Sequence, residues 1–173
     1  MTKEELIKIF YDNHKEMIDY VNILTDEQLT YSNNGKWTAA QHFHHVYLVI
    51  SPFPKILSSK ELIIQKFGKI DRPVWNYDTV IENYVKTSRQ SPQRFLPEQV
   101  SPQQKTIITA DLQKVLQTIQ QLLAQYSETE LDTLVIPNPL LGDLTLRETF
   151  FLMSYHPTLH LKQSKEILEQ LTK

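Results

Sequence analysis

Apolar residues recur every three or four positions along four separate stretches of the chain, a spacing that predicts amphipathic helices. Three of these stretches open with a capping box, in which a threonine and a Glu or Gln three residues later satisfy each other's backbone donors. The third helix along the chain is expected to begin between residues 101 and 109 and to end near residues 125–127. The last helix is expected to run to about Leu171. The three capping boxes are Thr2–Glu5, Thr38–Gln41 and Thr145–Glu148.

The connections between these helices are less regular. Pro52 and Pro54 interrupt the second helix, so a kink or a short break is expected before the helical pattern resumes at residues 56–64. Residues 67–101 have poor periodicity and form a long irregular connection, with a short helix expected near Asp78–Lys86. Residues 134–143 are expected to form a loop, and no sheet is expected. The pattern predicts one all-α domain over residues 1–173, a four-helix bundle.

The composition restricts the chemistry. The chain has 173 residues and a formal net charge of −2, which gives no reason to expect nucleic acid or an anionic membrane as a partner. It contains no cysteine, so a metal site must use His, Asp or Glu. No apolar run reaches membrane-spanning length, and the charged N-terminus lacks the apolar core of a signal peptide. A cytoplasmic protein is therefore expected.

Five of the six histidines lie in two short segments, on the second and the last predicted helices. His156 and His160 are four residues apart on an apolar stripe, so both are expected to point into the core from one helix face. Two inward imidazoles suit a divalent metal, whose third ligand is expected from the second helix. His42 and His45 share a helix face and both remain candidates. His44, rotated by about 100° from its neighbour, is a weaker one.

A site of three histidines would leave at least one metal position open, which is typical of catalytic sites, and Zn, Ni and Fe are all compatible with imidazole ligands. The alternative is that no metal is bound, and that one of His156 and His160 caps a buried polar network while the other lies at the boundary of the core. His14, alone on the first helix, is more typical of a hydrogen-bonded core residue. Pro157 removes one helical hydrogen bond and is expected to kink the last helix near the site.

Two segments resemble motifs of the DinB superfamily. Residues 37–45, Trp-Thr-Ala-Ala-Gln-His-Phe-His-His, resemble the start of the family's second helix, where the metal-binding histidine lies eight residues after the tryptophan. Residues 156–163, His-Pro-Thr-Leu-His-Leu-Lys-Gln, resemble its H-x-x-x-H-x-x-Q motif, and residues 142–146 resemble the G-x-L-T segment before it. The resemblance implies that the ligands are His45, His156 and His160. Pro157 departs from the family pattern, which commonly has an acidic residue there.

The resemblance also implies a function. Members of the family form helical bundles with a three-histidine metal site, often as homodimers, and some are thiol-dependent S-transferases. The expected function is therefore attack by the metal-activated thiolate of bacillithiol, mycothiol or glutathione on a small electrophile. The alternatives are a metal-dependent hydrolase, for which no neighbouring carboxylate offers a general base, and a non-catalytic bundle that serves as an interaction module. Gln163 and Gln41 are expected beside the ligands, and Trp37 is expected either there or in a pocket wall. The other aromatic residues expected to line or cover the pocket are Tyr47, Tyr155, Trp75, Tyr77, Tyr84 and Phe95.

Overall fold

The computed structural model describes residues 1–88 and 90–171, and this part of the chain contains nine α-helices, one 3₁₀ turn (Gln93–Phe95) and one β-hairpin. In chain order the helices and strands are α1 (Lys3–Ile23), α2 (Asp26–Thr30), α3 (Ala39–Ile50), α4 (Phe53–Leu57), α5 (Lys60–Phe67), α6 (Tyr77–Lys86), α7 (Pro102–Leu123), α8 (Glu128–Thr133), β1 (Val135–Asn138), β2 (Gly142–Thr145) and α9 (Leu146–Leu168).

Helix α9 lies at the centre of a bundle with α1, α3 and α7. It packs most extensively along α1, then against α3 and α6, while α7 contacts α1, α3 and α4. Phe150 of α9 meets Phe10 and Phe53 edge to face, with ring centroids 5.2 and 5.3 Å apart. Because other elements surround α9, 15 of its 23 residues are buried. The predicted all-α four-helix bundle is confirmed.

Each of the three predicted capping boxes is present at the start of a helix. Thr2, Thr38 and Thr145 each cap the helix that follows, and both hydrogen bonds of each box are present. The third long helix begins at Pro102, inside the predicted range. The break expected after the second helix is present between α3 and α4, and α6 is the short helix expected near residues 78–86. The short helices α2 and α8 were not predicted.

The prediction that the chain has no sheet is wrong. Strands β1 and β2 pair antiparallel in the segment expected to be a loop, with Val135 opposite Thr145 and Asn138 opposite Gly142. The turn is closed by the Asn138 side chain, whose oxygen accepts hydrogen bonds from the backbone of Leu140 and Leu141. Gly142 follows with φ of +81°, which glycine adopts without strain. Strands of four residues are too short to give a clear alternating pattern, which is why the sequence did not indicate them.

Helix α9 contains Pro157 and continues beyond it to Leu168, so the proline does not end the helix. The kink expected at this proline stays a prediction. Among the described residues, no helix is both long enough and apolar enough to span a membrane.

Candidate metal centre

Helices α3 and α9 pack side by side so that three buried histidines meet. His45 Nε2 lies 3.2 Å from His156 Nε2, and His160 Nε2 lies 3.1 Å from the same atom. The three side chains each offer one nitrogen, and these nitrogens all lie within 4.8 Å of one another. Three nitrogens about 2.0–2.1 Å from one tetrahedral ion would be about 3.3 Å apart. The spacing of the nitrogens therefore fits a divalent metal.

Hydrogen bonds to the opposite ring nitrogens fix two of these side chains. His45 Nδ1 lies 2.6 Å from the carbonyl oxygen of Phe95, and since a carbonyl only accepts, Nδ1 carries the proton and Nε2 keeps its lone pair. His160 Nδ1 lies 2.9 Å from His42 Nδ1. His156 Nδ1 is buried and has no hydrogen-bond partner within the described part of the chain. Each of the three rings can thus direct Nε2 at a shared ion.

Burial keeps these imidazoles neutral. It lowers the pKa of His156 and His160 well below the ordinary value, and the neighbouring histidines lower it further. A hydrogen bond with Gln163 opposes this shift at His160 by raising its pKa. Burial also lowers the pKa of His45, and it lowers the pKa of His42 to about 4. Neutral imidazole is the form that binds a metal, so near pH 7 no proton has to be removed first.

A mostly apolar cavity of about 220 Å³ opens onto His45 and His156. It lies between α3, α4, α6, α9, the 3₁₀ turn and the hairpin, and its apolar walls include Val49, Phe53, Tyr84, Phe95, Ile136 and Met153. Arg94 is the only charged Lys, Arg, Asp or Glu side chain among the described residues that line it. Its guanidinium stacks over the Phe95 ring, 4.7 Å from the ring centroid. The cavity is suited to an apolar small molecule beside the histidines.

A second depression borders the other side of the histidine group. It is lined by His42, His160, Trp37 and Gln163 together with the charged residues Lys36 and Glu166. The three ligand candidates therefore lie between an apolar cavity and a more polar depression.

Of the three residues expected around the ligands, Trp37 and Gln163 lie beside them and Gln41 does not. The ring of Trp37 packs on His45, with centroids 5.1 Å apart, and on His160 at 6.2 Å. Gln163 contacts His160, as described above. Gln41 instead caps α3, because its side-chain oxygen accepts a hydrogen bond from the Thr38 backbone at 3.0 Å.

Several aromatic residues expected in the pocket walls lie elsewhere. Of the six, Tyr84 and Phe95 line the apolar cavity. Trp75 stacks against Arg72, with the guanidinium carbon 3.8 Å from its ring centroid. The remaining three have other contacts: Tyr47 stacks with His44, Tyr77 packs on Phe151, and Tyr155 packs on Tyr84. Tertiary packing, rather than closeness to the histidines in sequence, decides which aromatic rings reach the cavity.

Two histidines contact neither the three ligand candidates nor His42. His44 is half-buried against Tyr47, at a centroid distance of 6.4 Å. His14 is fully buried, and its Nδ1 donates to the Phe10 carbonyl at 2.7 Å, as expected for a core residue. The sequence did not indicate the Phe95 carbonyl or Arg94 as part of the site. A backbone carbonyl 50 residues from its histidine gives no signal in a sequence.

The fold and the buried histidines define a helical bundle with a candidate metal centre, and the comparisons with known proteins confirm the fold. The family model of the DinB superfamily matches residues 9–164, so the chain belongs to the DinB superfamily. Among solved structures, the chain resembles YfiT from Bacillus subtilis, described as "a probable metal-dependent hydrolase with an unusual four-helix bundle topology". The match has a TM-score of 0.64 at 18% identity and covers 98% of this chain and 87% of that chain. No curated protein matches the chain.

Proposed function

We propose that the protein is a metal-dependent enzyme that transfers a low-molecular-weight thiol, through a new bond at its sulfur, to an electrophilic small molecule. The observation that carries this proposal is the convergence of three buried imidazole nitrogens beside an apolar cavity. His45, His156 and His160 would hold one Zn, Ni or Fe ion, all of which accept imidazole ligands. Three protein ligands leave at least one position for a reactant.

A divalent metal held there supplies Lewis acidity, which lowers the pKa of a thiol or water molecule that reaches its open position. The chain contributes the surroundings of the reaction. The Phe95 carbonyl holds the His45 ring, and the apolar walls bind the carbon skeleton of the electrophile and exclude water. In the transfer, sulfur forms the new bond to carbon, and the leaving group departs with the electron pair of the bond that breaks. The thiol proton passes to solvent.

The absence of carboxylates from the cavity favours thiol transfer over hydrolysis. None of the described residues that line the cavity is Asp or Glu, so no carboxylate there is placed to take a proton from attacking water. A thiolate needs no general base once its proton has been lost. Hydrolysis is the second candidate, because YfiT, which has the same fold, is described as a probable metal-dependent hydrolase.

The test begins with elemental analysis of protein purified without chelator or affinity-tag metal, beside His45→Ala. We expect about one equivalent of metal in the wild type and a loss in the variant. Both proteins are then assayed with 1-chloro-2,4-dinitrobenzene and glutathione, bacillithiol or mycothiol, and with p-nitrophenyl acetate without thiol.

Each result of this test separates two functions. Turnover of 1-chloro-2,4-dinitrobenzene that requires both metal and thiol supports the proposal. Metal-dependent ester cleavage that is independent of thiol indicates the hydrolase instead. A wild-type protein that takes up no metal on titration leaves only the interaction module.

A further inference from the structure

His42 is a fourth buried histidine at the candidate metal centre. Its side chain is on α3, three residues before His45, and only 6% of the residue is exposed. The ring packs edge-on against Trp37, with centroids 5.4 Å apart, so its orientation is held by a large neighbour. Its Nδ1 lies 2.9 Å from His160 Nδ1, which is hydrogen-bonding distance.

The chemistry of imidazole gives this hydrogen bond a direction. A neutral imidazole carries one N–H, so in a contact between two Nδ1 atoms one ring donates and the other accepts. His160 can offer Nε2 to a metal only when its proton is on Nδ1. His160 is then the donor and His42 the acceptor. With the opposite direction, His160 carries its proton on Nε2, the atom that lies 3.1 Å from His156 Nε2, and it cannot bind the metal.

We propose that His42 is a positioning residue that holds His160 in the tautomer and orientation able to bind the metal. The inference rests on the proposed metal site. Hydrogen-bond partners of ligand histidines typically contribute about 10–100-fold to metal affinity. His42 does for His160 what the Phe95 carbonyl does for His45, since each accepts the Nδ1–H of a ligand ring.

The position of His42 distinguishes it from Gln163, a second polar side chain beside His160. Gln163 is half-buried and belongs to α9, the same helix as His160, three residues further along. It therefore cannot fix that ring relative to the other helix. His42 belongs to α3, so its bond crosses between the two helices that carry the ligands. The pairs His42–His160 and His45–His156 join α3 and α9 in two places.

The test compares two substitutions at one position, one that keeps a hydrogen-bond acceptor and one that removes it. His42→Asn keeps an acceptor, since its amide oxygen occupies about the place of Nδ1, whereas His42→Phe keeps a ring but has no acceptor. His44→Phe is the matched control, because it makes the same change on the same helix outside the histidine group. Zn²⁺ affinity is measured by chelator competition, and helical content by circular dichroism. Histidine ¹⁵N shifts of the metal-free protein report which nitrogen of His160 carries the proton.

We expect His42→Phe to bind Zn²⁺ about 10–100-fold more weakly, with His42→Asn recovering most of the loss and His44→Phe unchanged. His160 should carry its proton on Nδ1 in the wild type and occupy both tautomers in His42→Phe. Gln163→Leu should weaken binding less than His42→Phe does.

Two results would overturn the inference while leaving the proposed function intact: wild-type affinity in His42→Phe, or equal losses in His42→Asn and His42→Phe. Expected affinities without any thiol transfer would support the inference and reject the proposed function. A wild-type protein that binds no Zn²⁺ would reject both.

Discussion

His44 and His45 are adjacent in the sequence but lie in different environments. Successive residues of an α-helix point about 100° apart, so His45 faces α9 while His44 stacks on Tyr47 at the side of the bundle. The same geometry puts His42 back on the face of His45. The rotation between successive helix positions therefore makes His45 a ligand candidate and keeps His44 away from the site. Paired substitutions at the histidines can test this difference.

His160→Ala removes one of three candidate ligands. We expect the loss of metal affinity to exceed the ~10–100-fold effect of losing a hydrogen-bond partner of a ligand. Helical content should be unchanged, because the removed ring is one side chain of a long buried helix. Elemental analysis and circular dichroism check both expectations, with His44→Ala as the control. Unchanged metal content in His160→Ala would refute the ligand assignment.

His14 makes the fold sensitive to acid independently of the metal. Burial lowers its pKa from 6.5 to about 4, although the hydrogen bond to the Phe10 carbonyl opposes the shift. Below pH 6.5 the unfolded chain binds this proton and the folded chain does not. The stability that His14 contributes is therefore complete above pH 6.5 and is lost as the pH falls toward 4, by on the order of 3 kcal/mol.

His14→Leu should reduce this pH dependence. Urea unfolding of metal-free protein at pH 7, 6 and 5 gives the free energy of unfolding of wild type and variant. We expect the free energy of unfolding to fall less steeply with decreasing pH in His14→Leu. The difference in slope between the two proteins should correspond to at most one bound proton between pH 6.5 and 4. The other buried histidines keep part of the dependence in both proteins. Parallel curves would show that His14 does not titrate differently in the folded and unfolded states.

At the scale of elements, the start of α9 shows how a local helix signal gains a tertiary role. Glu148 completes the capping box with Thr145. Its fully buried carboxylate also accepts hydrogen bonds from the two terminal guanidinium nitrogens of Arg72, at 2.8 and 2.9 Å. It accepts a further bond from the Trp75 backbone. Burial alone would raise the pKa of Glu148, but these hydrogen bonds hold it below its ordinary value. One side chain thus caps α9 and attaches the segment before α6 to it.

Glu148→Ala should destabilise the fold strongly. It leaves the Arg72 guanidinium, one quarter exposed, without its carboxylate and leaves the Thr145 backbone N–H without its side-chain acceptor, so we expect the free energy of unfolding to fall by about 3 kcal/mol. Glu82→Ala is the control, since it breaks an exposed ion pair with Lys86 and should cost under about 0.5 kcal/mol. The double variant Arg72→Met/Glu148→Ala should recover part of the loss. If Glu148→Ala lowered the free energy of unfolding as little as Glu82→Ala does, Glu148 would not attach the segment of Arg72 to α9.

At the scale of the whole molecule, the proposed metal would join the two helices that carry the ligands. Because the three nitrogens converge only in the folded chain, a metal binds the native state and stabilises it. We expect Zn²⁺ at 100 times its dissociation constant to raise the free energy of unfolding by about 2.7 kcal/mol. His45→Ala should show no such increase. Thermal unfolding with and without metal measures this, and equal responses of the two proteins would place the ion elsewhere.

The homodimer that the family resemblance implies stays a prediction at this scale. Sedimentation of the metal-loaded protein at micromolar concentration distinguishes a mass of 20.3 kDa from twice that mass. A single species at the monomer mass would reject the dimer.

The sequence by itself determined the long helices and indicated the type of site. Helix starts depend on residues three apart, so Thr2, Thr38 and Thr145 indicated them directly, and the apolar period of the long helices indicated a bundle. The four-residue spacing of His156 and His160 indicated a metal site for the same reason, because it lies within one helical turn.

Only the tertiary structure decided how these parts meet. The hairpin, the Phe95 carbonyl at His45, and the contact of His42 with His160 join residues that belong to different elements. Spacing left His42 and His45 equivalent, since both lie on one face of α3. Their proposed roles differ because α9 places a different histidine opposite each of them, and no pattern confined to one helix contains that information.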